Sequence, residues 1–459
     1  ITNRFYFTNL KKYQIHYSVL SNNKTIKSGK VSLDIAPQAS KEFTVPVNGL
    51  KSQPGTEYFV NFSVTTVEPE PLIPAGYEIA YDQFQLPIQA EKRIYKANGP
   101  ALTTATSGDE LTVSSSKVNF VFNKKSGLVT SYKVDGTEYF KDGFGIQPNF
   151  WRAPNDNDYG NGAPKRLQVW KQSSKNFHVT DVKMTTENKV VSLKATYLLA
   201  AGNLYVVTYR IYPSGIVNVS AQFTSTDMQA AETEVSEATR MATFTPGSDA
   251  ARKAASKLEV PRIGVRFRLP AQMNNVQYFG RGPEENYIDR NHGTLVGVYK
   301  TTADKMYFNY VRPQENGHHT DTRWIALSPD KGNGLAIVAD SLIGFNALRN
   351  SIEDFDSEEA LPHPYQWNNF SPEEVANHDE KAARNVLRRM HHVNDITPRD
   401  FVEVCVDMKQ QGVGGYDSWG ARPEPFHQIP ANRDYSWGFT LVPVRSASQA
   451  NEVAKYDYQ

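Results

Sequence analysis

Residues 1–90 alternate apolar and polar positions in short runs. YQIHYSVL (13–20) and EYFVNFSVTTV (57–67) are two of these runs, and turn-forming segments such as SNNKTIKSG (21–29) separate them. Alternation with a period of two residues is typical of a strand with one buried face. Short strands with turns every dozen residues or so predict an immunoglobulin-like β-sandwich over residues 1–90.

A second alternating region, with longer runs, extends over residues 111–445. It includes LTVSSSKVNFVFN (111–123) and LYVVTYRIYPSGIVNVSAQF (204–223), and helix-length segments between such runs are scarce. A parallel α/β sheet needs helices between its strands. We therefore expect an all-β protein with one very large antiparallel sandwich here, a supersandwich, or two sandwiches that share a core.

Other segments interrupt or flank this pattern. The residues of 91–110 are rich in Ala, Thr, Ser and Gly and predict a linker, and the polar residues 446–459 predict a mobile tail. Ser371, with Glu374 three residues later, predicts a capped helix start, and PKRLQVWKQ (164–172) predicts a short helix.

The composition narrows the range of partners. Lys and Arg number 50 and Asp and Glu number 49, which gives a net charge of +1. Without a basic excess, nucleic acid is not an expected partner. No apolar run reaches the 18 residues that indicate a membrane-spanning helix, so a membrane is not expected either. The charge balance suits a neutral partner such as a sugar or another protein surface.

The single cysteine and the first residue bear on the protein's origin. Cys405 excludes an internal disulfide, and its strand-like surroundings, FVEVCVDM (401–408), predict a buried apolar side chain. This cysteine usage fits the cytoplasm or the periplasm. The chain begins at Ile1 and enters a strand-like run at once, so we expect it to be a segment cut from a longer protein.

NFWRAPNDNDYGNG (149–162) concentrates polar side chains in one loop. Its Asp156, Asn157 and Asp158 can fix a turn by bonding their own backbone, bind a cation through oxygen atoms, or bind the hydroxyl groups of a sugar. The residue spacing is not that of an EF-hand loop, which disfavours the metal site. The turn role and the ligand-facing role both stay open at this point.

YFGRGPEENYIDRNHG (278–293) carries further titratable groups. Adjacent Glu284 and Glu285 point to opposite faces of an extended chain, so ion pairs within the loop are favoured over a catalytic pair of carboxylates. Asp289, Arg290 and His292 complete the charged set of this loop.

VRPQENGHHTDTRW (311–324) adds two adjacent histidines. His318 and His319 do not have the spacing that suits a shared zinc ion. One of them could act with Glu315 as acid and base on a sugar. The alternative is a loop with structural hydrogen bonds.

GVGGYDSW (412–419) places three glycines before a tyrosine, a carboxylate, a hydroxyl and an indole. Glycine permits a backbone with positive φ and the close approach of another segment. The turn presents Asp417, Ser418 and Trp419 to a ligand, or it packs Trp419 into the protein core.

Four motifs follow one another along the chain: RAPNDNDYG, GRGPEENYIDR, PQENG with a later TRW, and GGYDSWG. Together with KSGKVSLDIAPQ (27–38), they resemble the C-terminal third of bacterial β-galactosidases of glycoside hydrolase family 2, over nearly the whole chain. The resemblance implies a second immunoglobulin-like domain followed by a supersandwich of galactose mutarotase-like fold. It also implies that the (β/α)₈ barrel, with both glutamates of a retaining mechanism, precedes this segment.

The resemblance also assigns roles to residues of this segment. Two sets match the family's sugar-binding pocket and the loop at its mouth, respectively: Asp417, Ser418 and Trp419, and Asp156, Asn157, Asp158 and Gly160. A pyranose stacked on the indole of Trp419 would bury its CH groups while its hydroxyls stay bonded to polar neighbours. No catalytic residue and no metal site fall in this segment, and a Mg or Na ion of the whole enzyme would lie at the barrel.

Two functional hypotheses follow. In the first, the chain is the non-catalytic C-terminal part of a β-galactosidase that hydrolyses terminal β-D-galactosides, and it is inactive alone. Its partners would be a β-galactoside or galactose, the catalytic barrel of its own full-length chain, and other copies in a homo-oligomer. In the second, it is a free-standing sugar-binding or mutarotase-like module. The acid–base candidates of that module are Glu285, His292, Glu315, His318 and His319.

Overall fold

The computed structural model describes residues 1–225, 259–356, 392–417 and 419–458. These residues form mostly β-structure, which confirms the all-β prediction. They divide into a smaller unit, made of residues 1–95, 295–298 and 454–457, and a larger unit made of the remainder. The helix predicted to start at Ser371 lies outside the described residues.

The described strands, in chain order, are β1 (Tyr13–Ser21), β2 (Lys24–Ser32), β3 (Tyr58–Thr66), β4 (Glu78–Leu86), β5 (Arg93–Ile94), β6 (Thr103–Ser107), β7 (Glu110–Ser114), β8 (Val118–Asn123), β9 (Leu128–Val134), β10 (Thr137–Glu138), β11 (Gln147–Asn149), β12 (His178–Glu187), β13 (Val190–Leu198), β14 (Leu204–Ile211), β15 (Val217–Thr224), β16 (Arg262–Pro270), β17 (Asn275–Gly282), β18 (Leu295–Thr302), β19 (His319–Ser328), β20 (Gly334–Leu348), β21 (Phe401–Gln410), β22 (Tyr435–Val444) and β23 (Tyr456–Asp457).

The described α-helices are short: α1 (Asp156–Gly160), α2 (Ala163–Arg166), α3 (Gln168–Lys175), α4 (Ala303–Met306), α5 (Ile352–Phe355) and α6 (Ala450–Val453). Single 3₁₀ turns lie at Leu10–Lys12, Lys141–Gly143, Val393–Asp395, Pro425–His427 and Ala447–Gln449. α2 and α3 confirm the short helix predicted near residues 164–172. No helix within the described residues is both long and apolar enough to cross a membrane.

The smaller unit is built on a four-stranded antiparallel sheet in the order β2-β1-β3-β4. Ile15 of β1 is buried together with Leu33 and Ile35 from the segment that follows β2. Near the start of the chain, Thr2 pairs with Ser40 in an isolated antiparallel bridge. Among the described residues, the predicted sandwich thus has one regular sheet and a facing layer with only brief backbone pairing.

The larger unit contains two sheets with a common hydrophobic core. One sheet has the order β10-β9-β8-β7-β6. The other, twelve-stranded within the described residues, has the order β11-β16-β21-β20-β22-β15-β14-β13-β12, and β17–β19 branch from β20. Phe120 of the first sheet and Tyr209 of the second have ring centroids 5.8 Å apart, and both are buried. This is the large antiparallel sandwich that the long alternating runs predict.

The period-two pattern decides which face of each strand is buried. In β14, every second residue is buried, whereas the residues between them are partly or fully exposed. The buried set is Tyr205, Val207, Tyr209 and Ile211. The opposite face of β14 and of its neighbours therefore points away from this core.

Two of the predicted boundaries need correction. Residues 103–107, placed in a linker over 91–110, form β6 and pair with β7. All five side chains of β6 are exposed, so this edge strand has no hydrophobic signal. Residues 446–459, predicted as a mobile tail, contain α6 and β23, and Ala450 and Tyr458 are buried. Because polar residues dominate this segment, its few buried positions give no clear pattern in the sequence.

Candidate functional site

The segment that follows β21 meets the loop before α1, although the two are about 260 residues apart in sequence. Arg152 joins them. Its Nη1 donates to the carbonyl of Gln411 at 2.7 Å and its Nη2 to the carbonyl of Gly412 at 3.0 Å. The same guanidinium donates to both oxygens of the Asp158 carboxylate, at 3.1 and 3.0 Å. Arg152 therefore ties α1 to the segment that leads into the glycine turn.

Asp158 has a second structural role at the start of α1. Its Oδ2 accepts the backbone N–H of Asn155 at 3.2 Å, and Oδ1 of Asn155 accepts the N–H of Asp158 at 2.8 Å. This reciprocal pair is a capping box. Both Asp158 and Arg152 are buried, so the charged pair is removed from solvent. Burial lowers the pKa of Arg152, but Asp158, Glu315 and Tyr287 together raise it by more, and the guanidinium stays charged.

Asp289 holds the glycine turn from its other side. Its carboxylate accepts the N–H of Val413 at 3.0 Å and the N–H of Gly414 at 2.9 Å. Gly412 lies against this carboxylate, since a Cβ at position 412 would be 2.5 Å from Cγ of Asp289. Arg152 thus binds carbonyls of the segment while Asp289 binds its amides.

The glycine turn has the backbone that its sequence predicts. Gly414, Gly415 and Gly420 have φ of +75°, +130° and +136°, a region that disfavours other residues. A Cβ at Gly160, the last residue of α1, would overlap the carbonyl oxygen of Trp419 and lie 2.7 Å from Cα of Gly420. The backbones of α1 and of the turn are therefore in direct contact.

The two described side chains of the predicted sugar-binding set differ in their environment. Oδ1 of Asp417 accepts the backbone N–H groups of Trp419, Gly420 and Ala421 at 3.0, 3.3 and 3.1 Å. This oxygen therefore shapes the turn. The side chain of Trp419 is 70% exposed, so core packing of this indole does not occur. Ser418 lies outside the described residues.

The residues predicted for the loop at the pocket mouth form α1. Asp156 is exposed and pairs with Arg312 at 3.1 Å, and the Arg312 guanidinium lies 3.6 Å from the ring centre of Tyr159. Burial raises the pKa of Tyr159 to about 12. Oδ1 of Asn157 is buried and has no hydrogen-bond partner within the described part of the chain, and a Cβ at Gly414 would be 3.2 Å from Nδ2 of Asn157. Asn157 thus lies against the glycine turn with an unused acceptor.

A buried polar cluster lies behind this site. Arg262 donates to Glu315 at 3.0 Å and to Asn346 at 2.8 Å, and it also bonds Gln410 at the end of β21. Its Nε is 3.2 Å from the carboxylate of Asp407. Burial raises the pKa of Asp407 to about 7. The cavity beside Glu315 measures about 20 Å³, room for about one water molecule and far too small for a pyranose.

The acid–base candidates of the mutarotase-like alternative are placed for structural roles. His318 is buried with Nδ1 2.9 Å from Asn346, and burial holds its pKa well below the usual range. His319 is buried between the carbonyls of Gly317 and Pro283. The carboxylate of Glu285 accepts from Arg290 at 2.7 Å and from the N–H of Gly317 at 2.6 Å. The Glu285–Arg290 pair agrees with the predicted ion pairing within its loop.

His292 is exposed, and Glu315 is engaged with Arg262. The described residues include no group of three or more His, Cys, Asp or Glu side chains that could hold a metal ion.

Some residues of this site lack a local sequence signal. Asp289 was grouped with the ion pairs of its loop, yet its carboxylate binds the amides of the glycine turn. Nothing in the sequence around Arg312 indicates a role, yet its guanidinium lies over the ring of Tyr159 of α1. Only Arg152 has a local sequence signal for its role. It is a single arginine in an apolar stretch beside a capping box, and a buried arginine needs an acidic partner.

Comparison with known proteins finds two families that match successive parts of the chain. The family described as β-galactosidase small chain matches residues 114–441, and the family described as β-galactosidase domain 4 matches residues 1–87. The first match includes β8 to β21, α1 and the glycine turn. The chain belongs to the β-galactosidase small-chain family.

Two of the curated relatives that match this chain are named β-galactosidase. That of Priestia megaterium (strain DSM 319 / IMG 1521) is 32% identical over 448 residues, which are 97% of this chain and 37% of the relative. That of Streptococcus thermophilus is 24% identical over 450 residues, again 97% of this chain and 37% of the relative. The chain therefore spans little more than a third of the length of these relatives.

Solved structures give a weaker likeness. A putative mutarotase from Salmonella typhimurium aligns with 77% of this chain and 97% of its own, at 9% identity and a TM-score of 0.35. A galactose 1-epimerase from Lactobacillus acidophilus NCFM aligns with 76% of this chain and 98% of its own, at 9% identity and a TM-score of 0.36. These TM-scores are too low to carry a conclusion about activity.

Proposed function

We propose that this chain is the C-terminal, non-catalytic part of a longer β-galactosidase of glycoside hydrolase family 2, which hydrolyses terminal β-D-galactosides. Relatives with the name β-galactosidase match 97% of the chain, and the chain matches only 37% of them. The remaining length leaves room for a catalytic barrel with the two glutamates of a retaining mechanism. The segment alone is then inactive.

In this proposal the segment completes the sugar pocket, and Trp419 is the residue that does so. The supporting observation is an indole that is 70% exposed at the end of a turn with many hydrogen bonds. An aromatic side chain held in place outside the core costs little conformational entropy when a ligand covers it. The apolar face of a galactose ring is a suitable cover, because its hydroxyls remain free to bond polar neighbours.

α1 forms the mouth of the same pocket. Gly160 touches the backbone of Trp419, so a shift of α1 changes the position of the indole. Asp156 is exposed on α1 and can bind hydroxyl groups of the sugar or of its aglycone. The acceptor oxygen of Asn157 has no partner among the described residues, but it is buried, so a shift of α1 would be needed to bring it to a sugar hydroxyl. Asp417 then shapes the turn beside Trp419, and Ser418 of the same motif is a further candidate to bind the sugar.

The partners in this proposal are a β-galactoside or galactose, the catalytic barrel of the full-length chain, and further copies in a homo-oligomer. We assign no cofactor to this segment. A Mg or Na ion of the full-length enzyme would lie with the barrel, and none of the described residues forms a group suited to it.

The test compares three proteins in hydrolysis of o-nitrophenyl β-D-galactoside. These are the 459-residue chain, the longer protein that contains it, and that longer protein with Trp419→Ala. We expect no turnover by the first, turnover by the second, and a KM raised about 10-fold or more in the third, since a buried aromatic contact contributes on the order of 1.5 kcal/mol or more.

Phe426→Ala in the longer protein is the matched control, because Phe426 is equally exposed at 72% and follows the same turn. Its KM should change less than about 2-fold. Turnover by the 459-residue chain alone would overturn the assignment of catalysis to the missing part. An unchanged KM for Trp419→Ala would overturn the role of the indole.

A further inference from the structure

The outer face of the larger sheet carries a regular array of polar side chains. On β13, β14, β15 and β22 the register sets Lys194 opposite Thr208, Thr208 opposite Ser220, and Ser220 opposite Gly438. These four residues form one row across four strands. They alternate with the buried residues of the same strands, so the row lies on the face away from the core.

Two further rows flank this one, each two residues along the strands. On one side the register aligns Ser192, Arg210, Asn218 and Thr440. On the other side it aligns Thr196, Val206, Gln222 and Ser436. Adjacent strands lie about 4.8 Å apart and rows about 7 Å apart. The array therefore covers an area comparable to two or three pyranose rings.

This face is concave. Its residues line an open groove of about 530 Å³, which is within the usual range for small-molecule sites. Gly438 lowers the floor, since a Cβ there would lie 2.9 Å from the carbonyl of Val219 and would meet the carboxylate of Asp340. The centre of the groove carries the short hydroxyl side chains of Thr208 and Ser220.

The polar groups of the groove are available for a ligand. The side chains of Thr208, Ser220, Gln222 and Ser436 make no hydrogen bond to any described residue. Hydroxyls and an amide both donate and accept, which is the pattern that sugar hydroxyls require. By contrast, Asn218 and Thr440 bond each other at 3.0 Å and are buried, so they form part of the floor.

One end of the groove is positively charged. Lys194 and Arg210 lie on adjacent strands, and neither has an ion pair with a described carboxylate. The carboxylate of Asp340 lies over Gly438 of β22, three strands from Lys194 on β13 and two from Arg210 on β14, or about 14 and 10 Å at the usual strand spacing. An anionic group beside Lys194 and Arg210 is thus in contact with two cations and about a Debye length from Asp340.

We propose that this groove binds a short acidic saccharide. Its carboxylate would accept hydrogen bonds from Lys194 and Arg210, and its hydroxyls would bond the rows that contain Thr208, Ser220 and Gln222. The proposal does not depend on the β-galactosidase assignment, because it uses no residue of the Trp419 turn or of α1.

The test is a titration of the 459-residue chain by isothermal calorimetry. The ligands are trigalacturonic acid, maltotriose as a neutral trisaccharide, and citrate as a small anion without a sugar ring. We expect trigalacturonic acid to bind at least about 10-fold more tightly than either other ligand, because charge-assisted hydrogen bonds add to those of the hydroxyls. Equal binding of maltotriose or of citrate, or no binding of trigalacturonic acid, would overturn the proposal.

Two substitutions locate the site. Lys194→Gln and Arg210→Gln should each weaken binding of trigalacturonic acid about 10-fold. Lys133→Gln is the matched control, an exposed lysine on β9 without an ion pair, and it should leave the affinity unchanged. Lys194 is exposed and tests the site even if Arg210→Gln unfolds the chain. Equal affinity in Lys194→Gln and Lys133→Gln would place the ligand elsewhere and refute the proposed groove.

Discussion

Gly160 and Trp419 are in backbone contact, although they lie in motifs far apart in the sequence. The hydrogen atoms of Gly160 face the carbonyl of Trp419, and no larger residue fits at this position without a shift. The contact places the C-terminal end of α1 directly beside the turn that exposes the indole. The RAPNDNDYG and GGYDSWG motifs are therefore parts of one structure.

Gly160→Ala should displace the turn that carries Trp419. The new Cβ would overlap the Trp419 carbonyl and lie 2.7 Å from Cα of Gly420, and both are backbone atoms that cannot rotate away. We expect a raised KM in the full-length enzyme. Gly162→Ala is the control, because Gly162 has φ of +72° but no atom within contact distance of its Cβ position. That variant should lose about 1 kcal/mol of stability through backbone strain and keep its KM. The same KM in both variants would show that the Gly160 contact does not position the indole.

Arg152→Met should destabilise the larger unit strongly. The substitution leaves the buried Asp158 carboxylate without its cation and two backbone carbonyls without a donor. Removing one partner of a buried ion pair typically costs about 3–5 kcal/mol. The measurement is the free energy of unfolding in urea at pH 7.

Lys117→Met serves as the control for Arg152→Met. Lys117 pairs with Asp135 at 3.5 Å on the surface of the same unit. Exposed pairs contribute about 0–1 kcal/mol, so this variant should stay near the wild type. A loss of less than about 1 kcal/mol for Arg152→Met would mean that the buried pair is not needed to hold α1 against the turn.

The sequence predicts strands and turns well where the side-chain period is expressed locally. β14 is one example, since its alternating residues predict both the strand and the face that is buried. The φ values of Gly414 and Gly415 are likewise anticipated by the glycine run. β6 could not be predicted in this way, because all its side chains are exposed and only its pairing with β7 makes it a strand.

The partners within the site could not be predicted in the same way. The bonds from Asp289 to Val413 and Gly414 cross about 125 residues of sequence, and nothing near Asp289 indicates them. The outer groove could not be predicted from the sequence for a related reason. Thr208, Ser220 and Gly438 come from three strands, and they form a row only when the strand order and register are known.

Asp289→Asn should loosen the glycine turn without removing bulk. Both carboxylate oxygens accept a backbone N–H, whereas asparagine has one acceptor and would turn an NH₂ group toward the second donor. The cost of one unsatisfied buried donor is about 1–3 kcal/mol. The amide hydrogens of Val413 and Gly414 should exchange with solvent at least about 10-fold faster. Asp109→Asn, at an exposed turn, should leave these exchange rates unchanged. Unchanged rates in Asp289→Asn as well would exclude Asp289 from holding the turn.

Asp407 predicts a specific dependence of stability on pH. Arg262 has one guanidinium for two buried carboxylates, and it donates a hydrogen bond to Glu315, whereas neither oxygen of Asp407 has a hydrogen-bond partner among the described residues. Burial therefore raises the pKa of Asp407 from 3.8 to about 7, although Arg262 lowers it and Glu315 raises it further. Between about pH 4 and pH 7, the folded chain therefore keeps the Asp407 proton, whereas the unfolded chain has already released it. In this range the Asp407 contribution to stability falls as the pH rises, and above about pH 7 it is constant.

Asp407→Asn removes this contribution and isolates it. The free energy of unfolding of the variant minus that of the wild type should rise between about pH 4 and pH 7, by at most about 1.4 kcal/mol per pH unit, and then level off. His318, whose pKa burial lowers, has the opposite effect below its usual pKa of 6.5, but it is present in both proteins and its effect cancels to first order. Urea unfolding at pH 5 and pH 8 measures the difference. If that difference is the same at both pH values, Asp407 is ionised beside Arg262 in the folded chain.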